Sequence, residues 1–143
     1  MQSDELRQIN YLLAETDAAY HEAAVAFGLS DSTQRILYAL YCASGKCLLG
    51  DITKLSGLTK QTVHSSLHKL ERQGLLTVER FDGRKKTVSL TARGGDLAAR
   101  TVARLVTVEN VVLAGWSADE RATYIALTRK YLDGFRDGLR HMK

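Results

Sequence analysis

The stretch from Ile52 to Thr91, ITKLSGLTKQTVHSSLHKLERQGLLTVERFDGRKKTVSLT, reads as a short helix, a tight turn, a second helix and a basic β-hairpin in unbroken succession. That order predicts a winged helix-turn-helix. In the second helix Val63, Leu67 and Leu70 recur at i, i+4 and i+7, which at ~100° per residue makes one narrow apolar stripe for packing inward. Opposite the stripe lie Gln61, Ser65, His68 and Arg72, with Thr62, His64 and Lys69 on the flanks, and none of these is apolar. Thr59 is placed to cap the helix by accepting from an early backbone amide, and Gly74 stands where a left-handed residue usually ends one.

Upstream, Ile52 and Leu55 give the short helix an inward face, Gly57 permits the sharp turn, and Leu58 fills the corner. Downstream, Leu76 to Arg80 and Lys86 to Leu90 are rich in alternating and β-branched residues, and Asp82-Gly83 between them is a strong hairpin signal. Arg84, Lys85 and Lys86 then form a basic cluster at the tip and second strand. Such a cluster is either a solvated surface or a partner for phosphate and a narrow minor groove. Charge placement selects between these: Lys60 to Lys86 holds seven Lys/Arg against three Asp/Glu, while the rest of the chain holds 13 of each. The whole net charge of +4 therefore sits on the second helix and wing, the electrostatic footprint of a nucleic-acid site.

Contact chemistry sorts the candidates. Lys69, Arg72, Lys85 and Lys86 suit phosphates, and Gln61, Thr62, His64, Ser65 and His68 suit base edges. Lys60 suits either, and Thr59 both caps the helix and lets its amide dipoles face a phosphate. His64 and His68 have i, i+4 metal-gripping spacing but no acidic or Cys ligand close in sequence, so neither metal nor cofactor is expected. A winged domain that docks an acidic protein is the alternative of a different class; it does not account for so many short polar side chains at base-reading positions.

LSGLTKQTVHSSLHKLERQGLL followed by DGRKKTVSLTARG resembles the MarR family of bacterial transcriptional regulators, with Asp82, Arg84, Leu90, Thr91 and Gly94 at its signature positions. The resemblance implies a DNA-binding regulator, a repressor by family default, in which Arg84 enters the minor groove and Asp82 helps hold the wing tip. It implies a homodimer on a pseudo-palindromic operator of double-stranded DNA, and one MarR-like domain over 1–143. Within it, 48–91 would be the winged helix-turn-helix, and 1–28 and 92–143 the dimerisation helices. It also implies a small aromatic or phenolic effector, for which Tyr11, Tyr20, His21, Tyr38 and Tyr41 are the candidate lining. Redox-sensing relatives place a reactive Cys in the first helix, whereas the two cysteines here are Cys42 and Cys47.

The flanks read as helices. Leu6, Ile9, Leu13, Tyr20, Ala24 and Phe27 mark a first helix ending near Gly28; Ser30 caps a second, whose buried face is Ile36, Leu37 and Leu40, before a break at Ser44-Gly45. After the wing, Thr91 is expected to open one long helix with Leu97, Val102, Leu105, Val108 and Val112 inward, ended by Gly115. Ser117 and Glu120 form a capping-box pattern for the last helix. That helix carries Tyr124, Ile125, Leu127, Leu132, Phe135 and Leu139, more apolar surface than a small winged domain can cover. The fold class is mainly α with a small β-hairpin wing (α+β).

At 143 residues, 45% hydrophobic and 25% charged, the chain fits one globular domain. No signal-peptide pattern or membrane-length apolar run is present, so the expected site of action is the cytoplasm. Burial is expected for both thiols, although a thiol-redox-sensing regulator acting through Cys42 and Cys47 stays open as an alternative, because Cys47 stands next to Lys46 in an expected loop. Leu40 stands where a phosphate loop ending at Lys46 needs Gly, and no dinucleotide fingerprint, nucleophile elbow or HExxH occurs, so an enzyme is not expected.

Overall fold

The computed structural model describes every residue except Asp82 and Arg84, and the side chain of Phe81. The described residues form seven helices and a three-stranded antiparallel sheet. In chain order these are α1 (Asp4–Phe27), α2 (Asp31–Cys42), β1 (Lys46–Leu48), α3 (Leu49–Ser56), α4 (Lys60–Arg72), β2 (Leu76–Phe81), β3 (Lys85–Leu90), α5 (Ala92–Arg100), α6 (Val102–Ala114) and α7 (Ala118–Met142). Two compact units result, Met1–Arg104 and Leu105–Lys143. Among the described residues no helix is long and apolar enough to cross a membrane.

In the first unit, side-chain caps fix the helix starts. The Ser3, Ser30, Thr59 and Thr91 hydroxyls each accept an early backbone amide of α1, α2, α4 and α5 respectively. Left-handed glycines end α1 at Gly28 and α3 at Gly57, and Gly74 (φ 75°) turns the chain out of α4. Ile36 and Leu40 of α2, Ile52 of α3, Val63, Leu67 and Leu70 of α4, Leu76 of β2 and Val88 of β3 close one core. The predicted stripe of α4 is thus the face that seats it, and each such residue contributes about 1.5–3 kcal/mol of burial. The opposite face is left outward.

Four expectations change. The hairpin gains a third strand: β1 pairs with β3 through Cys47 and Val88, so Cys47 lies in a strand rather than a loop. In α3 the buried stripe runs through Ile52 and Ser56, which leaves Leu55 at its side, 63% exposed. Cys42 is exposed, at the last turn of α2. The single long helix after the wing is two helices. Thr101 interrupts it with non-helical backbone at φ −126° and ψ −90°, its amide bonded to the Ala98 carbonyl at 3.2 Å and its hydroxyl donating to the Leu97 carbonyl at 2.7 Å. Beyond the break Val102 is buried, whereas Val108 and Val112 are exposed.

The second unit has a sharply defined start to α7. The Ser117 hydroxyl accepts the Glu120 amide at 3.0 Å while the Glu120 carboxylate accepts the Ser117 amide at 2.8 Å, the expected capping box. The Arg121 guanidinium donates to the carbonyls of Leu113 and Trp116, tying the α6–α7 turn together. No residue of α7 is buried in the lone chain, and Tyr124, Ile125, Leu127, Tyr131 and Phe135 are each more than half exposed.

Candidate nucleic-acid interface

With Val63, Leu67 and Leu70 seated in the core, the outward side of α4 presents Lys60, Gln61, His64, Ser65, His68, Lys69 and Arg72, all exposed. Thr59 accepts the Thr62 amide at 3.1 Å, and its hydroxyl donates to Thr62 Oγ1 at 2.9 Å. Thr62 is therefore half-buried in the cap, with its own hydroxyl proton left to give. The rings of His64 and His68 meet edge to face, 5.1 Å between centroids, so one turn of the helix presents a paired aromatic surface. Among the described residues no group of three or more His, Cys, Asp or Glu is arranged to hold a metal.

β2 and β3 pair from Leu76 with Leu90 to Phe81 with Lys85, one residue further towards the tip than the sequence pattern implies. Gly83 in the connection has φ 69°, the left-handed conformation that makes a glycine useful there. Lys85 is exposed and Lys86 half-buried. Asp82 and Arg84, the other two wing candidates, lie outside the described residues.

Two concavities flank α4. A cleft of about 470 Å³ brings Lys54 of α3 together with Lys60 and His64 of α4 and Lys85 and Lys86 of β3, with Asp51 the one acidic group among the described residues on its wall. Four lysines from three elements converge there, a geometry suited to oxyanions. Lys54 was not among the sequence candidates because it precedes the basic segment, and only the α3–α4 turn carries it there. A second groove of about 290 Å³ runs between α4 and the wing, with His64, His68 and Glu71 on one side and Val78, Arg80 and Lys86 on the other. The Glu71 carboxylate accepts the Val78 amide across it at 3.1 Å.

Residues 27–86, the segment that contains this face, match the family model described as MarR family. The winged helix is one of the MarR family. No curated protein matches the chain. Among solved structures it is similar to Bordetella bronchiseptica BpsR, whose DNA binding is regulated by 6-hydroxynicotinic acid. The identity there is 25%, over 87% of this chain and 98% of that one, with a TM-score of 0.64. It is likewise similar to the PcaV transcriptional regulator of Streptomyces coelicolor, solved with its natural ligand (25% identity, 93% and 97% coverage, TM-score 0.66). Staphylococcus aureus MepR, solved with DNA, shares the fold at 22% identity over 90% of this chain and 96% of that one, TM-score 0.68.

Elsewhere in the MarR-like chain, the effector candidates distribute over two helices. Tyr11, Tyr20 and His21 stand on α1, Tyr38 and Tyr41 on α2. His21 Nδ1 meets both carboxylate oxygens of Asp31 at 2.9 and 3.0 Å, joining α1 to α2. Tyr11 is 63% exposed, whereas Tyr38 is half-buried. Beside Tyr20, the buried Gln34 donates from Nε2 to the Tyr20 carbonyl at 2.9 Å, while its Oε1 has no protein partner. Burial pushes the Cys47 thiol up, and the nearby Asp51 carboxylate adds to the shift. Thiolate is therefore disfavoured at this position, against the redox reading for Cys47.

Proposed function

We propose that this chain is a sequence-specific, double-stranded-DNA-binding transcriptional regulator, a cytoplasmic repressor released by a small-molecule effector. The observation that carries the reading is the outward row of α4: donors and acceptors on the exposed side of a core-seated helix, framed by the lysine cleft and the wing. Gln61, His64, Ser65 and His68 read base edges in the major groove, with the remaining Thr62 proton at the row's start. Lys60, Lys69, Arg72, Lys85 and Lys86 take phosphates together with the N-terminus of α4 at Thr59, and Lys54 joins them. Arg84 enters the minor groove, as the resemblance to the family implies, and Asp82 helps hold the wing tip.

The chain acts as a homodimer. Support comes from the large apolar residues left exposed on α1 (Ile9, Leu12, Leu13), on α6 (Val108, Val111, Val112) and on α7, where exposed apolar side chains mark contact surfaces. Two recognition helices about 34 to 36 Å apart would then select a pseudo-palindromic site. BpsR and PcaV support ligand control, and the unpartnered Gln34 Oε1 is an acceptor for a hydroxyl-bearing aromatic ligand lined by Tyr11, Tyr20, His21, Tyr38 and Tyr41.

A fluorescence-anisotropy titration against duplex flanking the chain's own gene tests the reading. Binding should fall steeply with salt, keep a preference over scrambled duplex, and weaken when hydroxylated aromatic acids are added. Equal affinity for all duplexes would refute sequence-specific regulation, and a monomer by light scattering that still binds its site tightly would refute the dimer.

A further inference from the structure

We propose that Glu71 is a positioning residue for DNA recognition: its carboxylate latches the wing's outer strand to the last turn of the recognition helix and so sets their spacing. The role in recognition rests on the DNA-binding reading above. The latch itself does not.

By charge alone Glu71 is misplaced. It stands between Lys69 and Arg72 in the basic segment, where a carboxylate repels the phosphates that its neighbours attract. Its geometry supplies the reason. Glu71 Oε2 accepts the Val78 backbone amide at 3.1 Å, a charge-assisted hydrogen bond. β2 is an edge strand, paired with β3 alone, so the Val78 amide given to Glu71 points out of the ladder. Leu76 is buried and Val78 half-buried, while Glu79 and Arg80 beyond them are exposed. The bond thus grips β2 where the hairpin leaves the core.

The bond acts beyond the turn. Gln73, Gly74 and Leu75 separate α4 from β2, and that turn is held at its base, with the Gly74 and Leu75 amides bonded back to α4 and the Gly74 and Leu75 carbonyls accepting from Thr91. Those bonds stop at Leu75; the Glu71 carboxylate is the side-chain tie from α4 further along β2, at Val78. The groove beside it has His64 and His68 on the base-reading side and Arg80 and Lys86 on the wing side. A change in wing angle changes the distance between those two sets. Helix and wing meet adjacent grooves of one duplex only at a fixed spacing, so the latch confers specificity rather than charge.

The test compares the wild-type chain with Glu71→Ala and Glu71→Gln. Both variants remove the repulsive charge, and only Gln retains an acceptor for Val78. Amide exchange of the DNA-free protein, followed by NMR, should show Val78 protected in the wild type and in Glu71→Gln and exchanging about fivefold faster or more in Glu71→Ala. On an operator selected from a random duplex library, Glu71→Gln should bind as tightly as the wild type or tighter, and Glu71→Ala about three- to tenfold more weakly. On scrambled duplex the two variants should be equal. Circular dichroism establishes that both are folded.

Unchanged Val78 exchange in Glu71→Ala would overturn the latch. If the wild type prefers its operator and the two variants bind that operator equally, the positioning role falls while the DNA reading stands. A wild type without sequence preference would overturn the DNA reading and the recognition role with it, with Val78 exchange still reporting on the latch.

Discussion

A single methyl group at Gly94 should separate two otherwise similar substitutions by a large stability difference. Gly94 lies in the first turn of α5, directly beneath the turn that leaves α4, and a Cβ there would fall 1.8 Å from the Leu75 carbonyl oxygen. Its next contacts would be the Leu75 carbonyl carbon at 2.9 Å and Leu90 Cδ2 at 3.1 Å. Real Cβ atoms are not found closer than 3.0 Å, so the oxygen contact must open from 1.8 Å by backbone movement.

That movement disturbs a pinned turn. The Leu75 carbonyl accepts the Thr91 amide at 3.1 Å, and Thr91 Oγ1 donates to the Gly74 carbonyl at 2.6 Å while capping α5 through the Gly94 amide. Losing or stretching the two inter-element bonds costs about 1 kcal/mol each. Overpacking adds about 1–3 kcal/mol. Alanine's better helix propensity returns about 1 kcal/mol, so Gly94→Ala should destabilise by about 2–4 kcal/mol. Gly95, next along the same helix, has nothing within 4 Å of its Cβ position, and Gly95→Ala should stabilise by up to ~1 kcal/mol.

The pair should therefore differ by roughly 2–5 kcal/mol, or about 7–20 °C in Tm for a chain of this size. Urea and thermal unfolding of both variants at one protein concentration measure it, the fixed concentration removing the contribution of self-association. Gly94→Ala as stable as Gly95→Ala would refute the close approach of α5 to the Leu75 carbonyl.

Further outcomes are expected for the interface and for Cys47. Arg84→Ala should weaken operator binding through loss of the wing-tip contact, and unchanged affinity at near-physiological salt would count against the wing's role. Gln61→Ala should change preference at one base position by ~1–3 kcal/mol, whereas Lys54→Ala should weaken all duplexes alike and lower the salt slope by about one; anisotropy against single-base operator variants and a salt series separates the two. Cys47 should react with iodoacetamide more slowly than an unstructured cysteine near pH 8, because burial and Asp51 hold it as thiol. Peptide mass spectrometry reads that rate, and alkylation of Cys47 at the unstructured rate would contradict its half-buried placement in β1. The same shift gives the sign for stability: the raised folded pKa contributes stability below the ordinary thiol range, and that contribution is lost as pH rises through the raised value.

What the sequence makes legible is what neighbours along the chain decide. Ser30, Thr59, Gly28, Gly74 and the Ser117–Glu120 box each act within a helical turn of their own position, and each is found in its expected role. The α4 stripe is legible for the same reason, since its period is a property of the helix alone. β1 is not, because three residues carry no period and Lys46–Leu48 becomes a strand only by pairing with Thr87–Ser89 some forty positions on. The Thr101 break also escapes pattern reading: apolar positions on either side keep helical spacing, and one residue with non-helical backbone has no periodic signal.

The interface divides along the same line, and Glu71 shows why a charge count stops short of a mechanism. Summation over Lys60 to Lys86 locates the basic face, but it treats Glu71 as a subtraction from that face and leaves out Lys54, which lies just upstream. In three dimensions both residues change meaning. Lys54 joins the lysine cleft because the α3–α4 turn folds it back, and Glu71 becomes the acceptor for an edge-strand amide because the Gly74 turn brings Val78 to it. A carboxylate on a DNA-facing helix opposes phosphate by Coulomb's law wherever it stands, so its presence there calls for a compensating interaction. The Val78 bond is that interaction, and the different outcomes expected for Glu71→Ala and Glu71→Gln on operator follow from separating the acceptor from the charge.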